Sequence, residues 1–435
     1  MIPLALDEIR SLAPGRLEAV PGADVVTGVQ IDSRRVAMGD LFVAVRSGVD
    51  YVPEALERGA AAALVPEDAF AALAALGGAV RERSSARVVA VTGSVGKTTT
   101  KDILGALCGP HASTVVAEGS QNNEIGLPLT LCRIEADTQV VVLEMGMRGL
   151  GQIAELCAVA RPNVGVVTSI GPVHLELLGT IENVARAKAE LIDALPPGGA
   201  AVVPSDEPLL EPFVGRSDLR VLRFGAGGDV SLEAFRPGPT GSEIDVEVLG
   251  ERLTLGLPIG ARHNATNFLA ALAAYVALGF PVAEAGRGGA AIKLSRWRGE
   301  EFPLPGGGVL VNDAYNANPV SMAAALDHLG ERAGSSRKVA ILGEMAELGP
   351  AGADYHRQVG EAATHAGVSV LVAVGSLAAE YLEGAHVPTM RWAANAQAAL
   401  AEASALLEPG DWVLVKGSRS VGLEVVAEGL AGIPA

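Results

Sequence analysis

The chain has 435 residues, and its acidic residues outnumber the basic ones 50 to 33, for a net charge of -17. With 49% hydrophobic and 19% charged residues a disordered chain is excluded, and so acidic a balance excludes non-specific binding to nucleic acid. Three cysteines make no disulfide framework and have no metal spacing, and Asp7 and Glu8 stand where a signal peptide needs bases, so a cytoplasmic location is expected.

Residues 1–84 mix short β-like runs (VVTGVQI, LFVAVR, AAALV) with an alanine-rich helix and predict a smaller N-terminal α/β domain. The small-residue and charged stretch AALAALGGAVRERSSAR reads as its boundary. Residues 85–304 open with the apolar strand Val88–Val91. The runs VVVLEMG, VGVVTSI and AAVVP then alternate with helical segments, which predicts a parallel sheet with crossover helices. From Leu222 to Pro258 the pattern becomes alternating and predicts an antiparallel strand pair beside that sheet. The apolar run from Phe268 to Phe280 is too short to span a bilayer, so it reads as a buried helix and no membrane insertion is expected. FPLPGGG, residues 302–308, reads as a linker. Residues 305–435 repeat the strand–helix rhythm in VLVND, KVAILGEM, VLVAVG and WVLVKG, as a Rossmann-like domain does. The expected fold is therefore α/β in three domains, the central one built on a parallel sheet that binds a mononucleotide.

The clearest motif is TGSVGKTTT, residues 92–100, between strand and helix. Gly93 and Gly96 let the chain turn so that the N–H groups of Ser94, Val95 and the helix start at Lys97, Thr98 and Thr99 face phosphate oxygens. Lys97 can reach the outer phosphates, and Thr98 can hold Mg²⁺. Val91 stands where a longer phosphate loop has glycine, so this is a short variant. ATP binding follows; the reaction does not. Glu144 ends the strand VVVLEMG, where α/β sheets place their sites. His174 follows VGVVTSI. Lys188, in IENVARAKAEL, reads on its own as an exposed helix lysine paired with Glu182 or Glu190. Asn264 and Asn267 open a helix, where Asn is a good cap. Asp32, Ser33 and Arg34 read as a capped turn, and Tyr315, Asn316 and Asn318 lie in a turn-rich loop.

In order along the chain, TGSVGKTTTKD, QNNEIGLPLTL, LEMGMRGLGQI, TSIGPVHLELLGTIENVARAKAEL, ARHNATNFLAA, RGEEF, VNDAYNANPVSM, ILGEMAELG and KGSRSVGLE resemble the motifs of the Mur ligase superfamily, ATP-dependent enzymes that form amide bonds. NDAYNANPVSM, GEMAELG and VKGSRS are most similar to the branch that joins D-alanyl-D-alanine to UDP-N-acetylmuramoyl-tripeptide through an acyl phosphate. The resemblance implies ATP and Mg²⁺, with Lys97 at the phosphates and Thr98, Glu144, His174 and a carbamylated Lys188 at the metal. It implies adenine contact by Asn264 and Asn267, phosphate contact by Arg298 and ribose contact by Asp313. Asp32, Ser33 and Arg34 would meet the uridine end, and Ser120, Asn122 and Asn123 the muramoyl channel. Tyr315, Asn316 and Asn318 would bind substrate, and Lys416, Ser418 and Arg419 would take the dipeptide carboxylate. A monomer is expected. The sequence departs from the family at Asp50-Tyr51-Val52-Pro53, where Asp-Gly-His is usual, and at Leu423, where Met is. The competing readings are another ligase of the superfamily (third amino acid addition or folylpolyglutamate-like) and a P-loop ATPase or kinase that forms no amide bond.

Overall fold

Runs of valine form the centre of the largest sheet. In the computed structural model, which describes residues 1–238 and 240–432, the strands Arg87–Thr92, Val140–Glu144 and Val164–Val167 lie side by side in parallel, almost wholly buried. Burial on both faces is why these strands read as continuous apolar runs. The full order is Thr114–Val116, Val140–Glu144, Arg87–Thr92, Val164–Val167, Ala200–Pro204, Arg220–Phe224, Val230–Gly238, Gly241–Val248 and Glu251–Leu257. The last two pairings are antiparallel. The expected strand pair is thus three strands, and they extend the parallel sheet through the bridge Phe224–Val230. In Gly241–Val248 alternate residues Ser242, Ile244, Val246 and Val248 are buried, which is the alternation seen in the sequence.

The chain leaves Arg87–Thr92 toward one edge of this sheet and leaves Val164–Val167 toward the other. A crevice opens where neighbouring connections diverge, at the carboxyl ends of these two strands.

The first 84 residues carry a four-stranded sheet ordered Gly15–Ala19, Ala62–Pro66, Asp40–Val43, Gly28–Gln30, and the short pair Leu4–Ala5 with Val25–Val26. The stretch read as a boundary is largely the helix Ala69–Glu82, capped by Asp68 and burying Leu73, Leu76 and Val80. Its small residues mark close packing: a Cβ on Gly77 would lie 2.9 Å from Pro128 Cα.

The chain divides into two compact units, one of residues 1–169, 186–258 and 266–293, the other of residues 170–185, 259–265 and 294–435. The second holds a six-stranded sheet ordered Glu300–Pro303, Val309–Asp313, Trp412–Lys416, Lys338–Gly343, Val370–Val374, Thr389–Ala393. All pairings are parallel except the first. That first pairing makes 302–308 a hairpin rather than a linker. Gly308, at φ 93°, sits where a Cβ would be 2.1 Å from the Asp411 carbonyl oxygen, so the turn packs tightly. Met322, Leu326, Val359, Ala363 and Tyr381 pack in one core of this sheet, and Ala399, Ala403, Val426 and Ala427 in another. Lys338–Gly343 and Trp412–Lys416 adjoin in parallel, so their carboxyl ends lie side by side.

Of the apolar run expected as a buried helix, residues 268–277 form the last part of Arg262–Ala277, which buries Phe268, Leu269 and Leu272, and residues 278–280 lie beyond the helix end. The three cysteines are free and buried, and burial pushes each thiol up to about 12. Among the described residues no helix is long and apolar enough to cross a membrane.

Tyr381 is fully buried, and its hydroxyl donates to the Gly343 carbonyl at 2.8 Å, fixing the strand end that leads into GEMAELG. Tyr381→Phe removes that donor and should lower stability by about 1–2 kcal/mol. The midpoint of urea unfolding checks it; an unchanged midpoint would mean the bond contributes nothing.

Candidate active site

The phosphate loop occupies the crevice of the nine-stranded sheet. Ser94 N–H donates to Ser169 O at 2.9 Å, Val95 N–H donates to Ser169 Oγ at 3.0 Å, and the Thr168 hydroxyl donates to Thr92 O at 3.2 Å. The loop is thereby tied to the end of the neighbouring strand. Gly93 (φ 148°) leaves no room for a side chain, since a Cβ would fall 1.9 Å from Thr168 Oγ1. Gly96 (φ 85°) starts the helix Lys97–Cys108, and a Cβ there would meet Asn267 Oδ1 at 2.1 Å. The loop therefore has Asn267 against it. Lys97 Nζ donates to Gly93 O at 2.7 Å, which folds the ammonium back over the loop. Val91, where the longer motif has glycine, is a fully buried strand residue.

Below the loop is a buried acid with two donors. Glu144, 1% exposed, accepts from the Thr98 hydroxyl at 2.8 Å and from Asn122 Nδ2 at 2.7 Å. Thr98 Oγ1 is also 3.1 Å from Ser120 Oγ. Four residues singled out in the sequence thus form one oxygen-rich cluster. Asn123 turns away from it: its Oδ1 accepts from Ile125 N–H and Gly126 N–H at the start of the helix Gly126–Leu131.

Sequence reasoning passed over Lys101, one turn after Lys97. It is 1% exposed, and its ammonium donates to Ala117 O at 2.7 Å and Gly119 O at 2.9 Å and pairs with Asp102 at 2.7 Å. It anchors the chain that enters the Ser120–Asn123 loop. The helical spacing from Lys97 was the available signal.

Lys188 is not the exposed, paired lysine of the local reading. It is 2% exposed, and no side-chain ion pair or hydrogen bond of its ammonium occurs among the described residues. Glu190 is occupied at the start of another helix, accepting from Gly151 N–H at 2.6 Å and Ala154 N–H at 3.1 Å. Burial, and then the nearby charge of Lys97, hold the Lys188 ammonium well below the usual lysine range.

His174 falls in the second unit, at φ 52° before the short helix Leu175–Leu178. Its Nδ1 is hydrogen-bonded to Glu347 of GEMAELG, and Glu176 N–H reaches Glu347 O at 3.4 Å. Glu347 was not foreseen. Among the described residues no group of three His, Cys, Asp or Glu side chains converges on a metal position.

Also in the second unit, Arg298 stacks on the Tyr315 ring at 4.0 Å, and Tyr315 N–H donates to Trp297 O at 3.3 Å. Asp313 pairs with Lys416 at 2.6 Å. Asn264 is buried near the start of its helix, beside His263, which desolvation lowers to about 4 despite the opposing charge of Asp313. Asn318 caps the helix Pro319–Ala333 in a reciprocal pair with Ser321. Ser418 is buried, its Oγ accepting from Ala346 N–H at 2.9 Å, so KGSRS and GEMAELG meet beyond the carboxyl ends of their adjacent strands. Arg419 lies over the Trp297 ring at 4.4 Å, pairs with Glu424 at 2.7 Å and stays half exposed.

In the N-terminal sheet Asp32 caps Ser33–Arg35 and accepts from Arg34 through Nε at 2.9 Å and Nη2 at 2.8 Å. The Arg34 hydrogen bonds pull the Asp32 carboxyl down to about 2. Ser33 donates to Glu54 at 3.0 Å.

Comparison with known proteins agrees with this layout. Residues 91–275 match the Mur ligase middle domain and residues 298–419 the Mur ligase, glutamate ligase domain. UDP-N-acetylmuramoyl-tripeptide–D-alanyl-D-alanine ligase of Bacillus subtilis is 32% identical, over 94% of this chain and 94% of its own. A crystal structure of MurF from Acinetobacter baumannii superposes with a TM-score of 0.88 at 27% identity, covering 99% of both chains. The MurF ligase of Thermotoga maritima, solved in complex with ADP, gives 0.80 at 28% identity over 94% of this chain and 97% of that one. The short phosphate loop, the buried Glu144 cluster and these likenesses across nearly the whole length lead to one conclusion: the chain belongs to the Mur ligase family.

Proposed function

We propose that the chain is the ATP-dependent ligase that joins D-alanyl-D-alanine to UDP-N-acetylmuramoyl-tripeptide, giving ADP, phosphate and the pentapeptide precursor of peptidoglycan. The observation that carries the chemistry is the phosphate loop in its crevice, with Glu144 held beneath it by Thr98 and Asn122. The substrates are those named for the relatives, which match over nearly the whole chain. Residues 1–84 take the uridine end through Asp32, Ser33 and Arg34, residues 85–304 the ATP phosphates, and residues 305–435 the dipeptide. We infer a cytoplasmic location, which the acidic composition and the substrates named for the relatives support.

An amide does not form from a free carboxylate and an amine in water, so the carboxylate must first be activated. The tripeptide carboxylate attacks the γ-phosphorus of ATP, and ADP leaves. The dipeptide amine then attacks the acyl phosphate, and phosphate departs from the tetrahedral adduct. The N–H groups of Ser94 and Val95 are taken by Ser169, so the N–H groups at the start of the helix Lys97–Cys108 and the ammonium of Lys97 hold the transferring phosphate in line, and positioning and charge carry most of the rate gain. Asn267, against Gly96, takes the adenine with Asn264; Arg298 and Asp313 serve phosphate and ribose. Ser120 and Asn122 border the muramoyl end, with Asn123 setting their loop. Tyr315, Asn316 and Asn318 shape the loop that carries Asp313.

Thr98 and Glu144 present hard oxygen donors of the kind Mg²⁺ prefers, and Mg²⁺ held there would neutralise the crowded phosphate oxygens. His174 is the further ligand in this reading, and its Nδ1 bond to Glu347 is the kind of second contact that orients a ligating imidazole. Lys188 completes the set as a carbamate. A buried ammonium near Lys97 has no local counter-charge, whereas CO₂ converts a neutral amine into a two-oxygen anion.

Three outcomes test this reading. Phosphate release, with substrates omitted one at a time, should require both the nucleotide tripeptide and D-alanyl-D-alanine; release with neither present would show an ATPase. Lys188→Ala should abolish turnover, and acetate should partly restore it by supplying the lost oxygens. Near-full activity of Lys188→Ala in bicarbonate-free buffer would reject the carbamate. Arg419, the half-exposed cation of KGSRS, should serve the dipeptide carboxylate. Arg419→Ala should then raise the KM for the dipeptide far more than that for ATP, and equal effects would reject the assignment.

A further inference from the structure

Lys416 and Arg419 are three residues apart and look interchangeable as cations for a carboxylate. Their surroundings separate them. Arg419 is half exposed. Lys416 is 2% exposed, and its ammonium is already engaged, with Asp313 Oδ2 at 2.6 Å and Asn316 O at 3.0 Å. Asp313 and Lys416 are the last residues of adjacent parallel strands and stand directly side by side in the register. A buried ammonium is tolerated only with such partners, and leaving it for a dipeptide carboxylate would strand Asp313. Asp313 itself keeps 18% of its side chain exposed, and no hydrogen bond to its second oxygen, Oδ1, occurs among the described residues.

We propose that Lys416 is a positioning residue of the nucleotide site: it locks one oxygen of Asp313 and the Asn316 carbonyl, so that the other Asp313 oxygen is presented to a ribose hydroxyl. This rests on the reading of Asp313 as the ribose contact. Lys416 acts through Asp313 and makes no contact with the dipeptide. The same clamp fixes the 313–316 turn, whose Tyr315 lies under Arg298. The two cations of KGSRS thus divide their work, the buried one serving the nucleotide and the exposed one the second substrate.

The test measures the affinity of the full chain for ATP and for its 2′-deoxy and 3′-deoxy analogues by calorimetry, together with the KM for the dipeptide. Wild type should prefer ATP over at least one deoxy analogue by about tenfold, the scale of one lost hydrogen bond to a charged group. Asp313→Asn should erase that preference, and Lys416→Met should erase it too while leaving the dipeptide KM within about twofold. The double variant should be no worse than Asp313→Asn alone. If Asp313→Asn keeps the preference, the ribose reading fails. If Asp313→Asn loses it and Lys416→Met keeps it, the positioning role fails, as it does if Lys416→Met raises the dipeptide KM instead. Should Lys416→Met not fold, as judged by its thermal melt, Lys416→Arg takes its place. It retains the charge but puts a larger planar fork where the compact ammonium sat, so a weakened ribose preference supports the proposal and a raised dipeptide KM overturns it.

Discussion

A carboxylate removed from water must find donors, and Glu144 finds them on two different segments. The Thr98 hydroxyl comes from the helix that follows the phosphate loop, and the Asn122 amide from the loop after Thr114–Val116. Both interactions form at the carboxyl end of a sheet whose neighbouring connections diverge. Glu144 thereby ties the phosphate-binding turn to the Ser120–Asn123 loop. Lys101 adds a second tie from the same helix to the same segment, through the Ala117 and Gly119 carbonyls. Loss of Glu144 would leave Thr98 and Asn122 without their shared acceptor and loosen both segments together.

The remaining buried cations follow the same logic with different answers. Lys101 is satisfied by carbonyls and an aspartate, Lys416 by an aspartate and a carbonyl, and both read as fixed parts of the scaffold. Lys188 has no such set. Burial holds its ammonium well below the usual lysine range, and that sets it apart from the other two. Exposure decides among look-alikes in the same way at Lys416 and Arg419.

Much of this was legible in the sequence wherever the signal was contiguous. TGSVGKTTT carries its own turn, helix start and cation, and the valine runs announce parallel strands buried on both faces. What escaped needed strand order or long-range packing. The Asp313–Lys416 pair joins residues 103 positions apart through a strand register that no local pattern encodes. Lys188 read as a surface residue because helical neighbours at three and four positions were the visible partners, while its burial is set by the fold. The glycine-rich 302–308 stretch read as a linker, since glycines that permit a tight hairpin and glycines that permit flexibility look alike in sequence.

The account's central claim is that the tripeptide carboxylate is phosphorylated before the amide forms. Tripeptide substrate labelled with ¹⁸O in both oxygens of its terminal carboxylate tests this directly. Turnover with ATP and D-alanyl-D-alanine should transfer one labelled oxygen to each inorganic phosphate released, read by mass spectrometry or by the ³¹P isotope shift. Phosphate released without the label, its new oxygen drawn from water, would contradict the account.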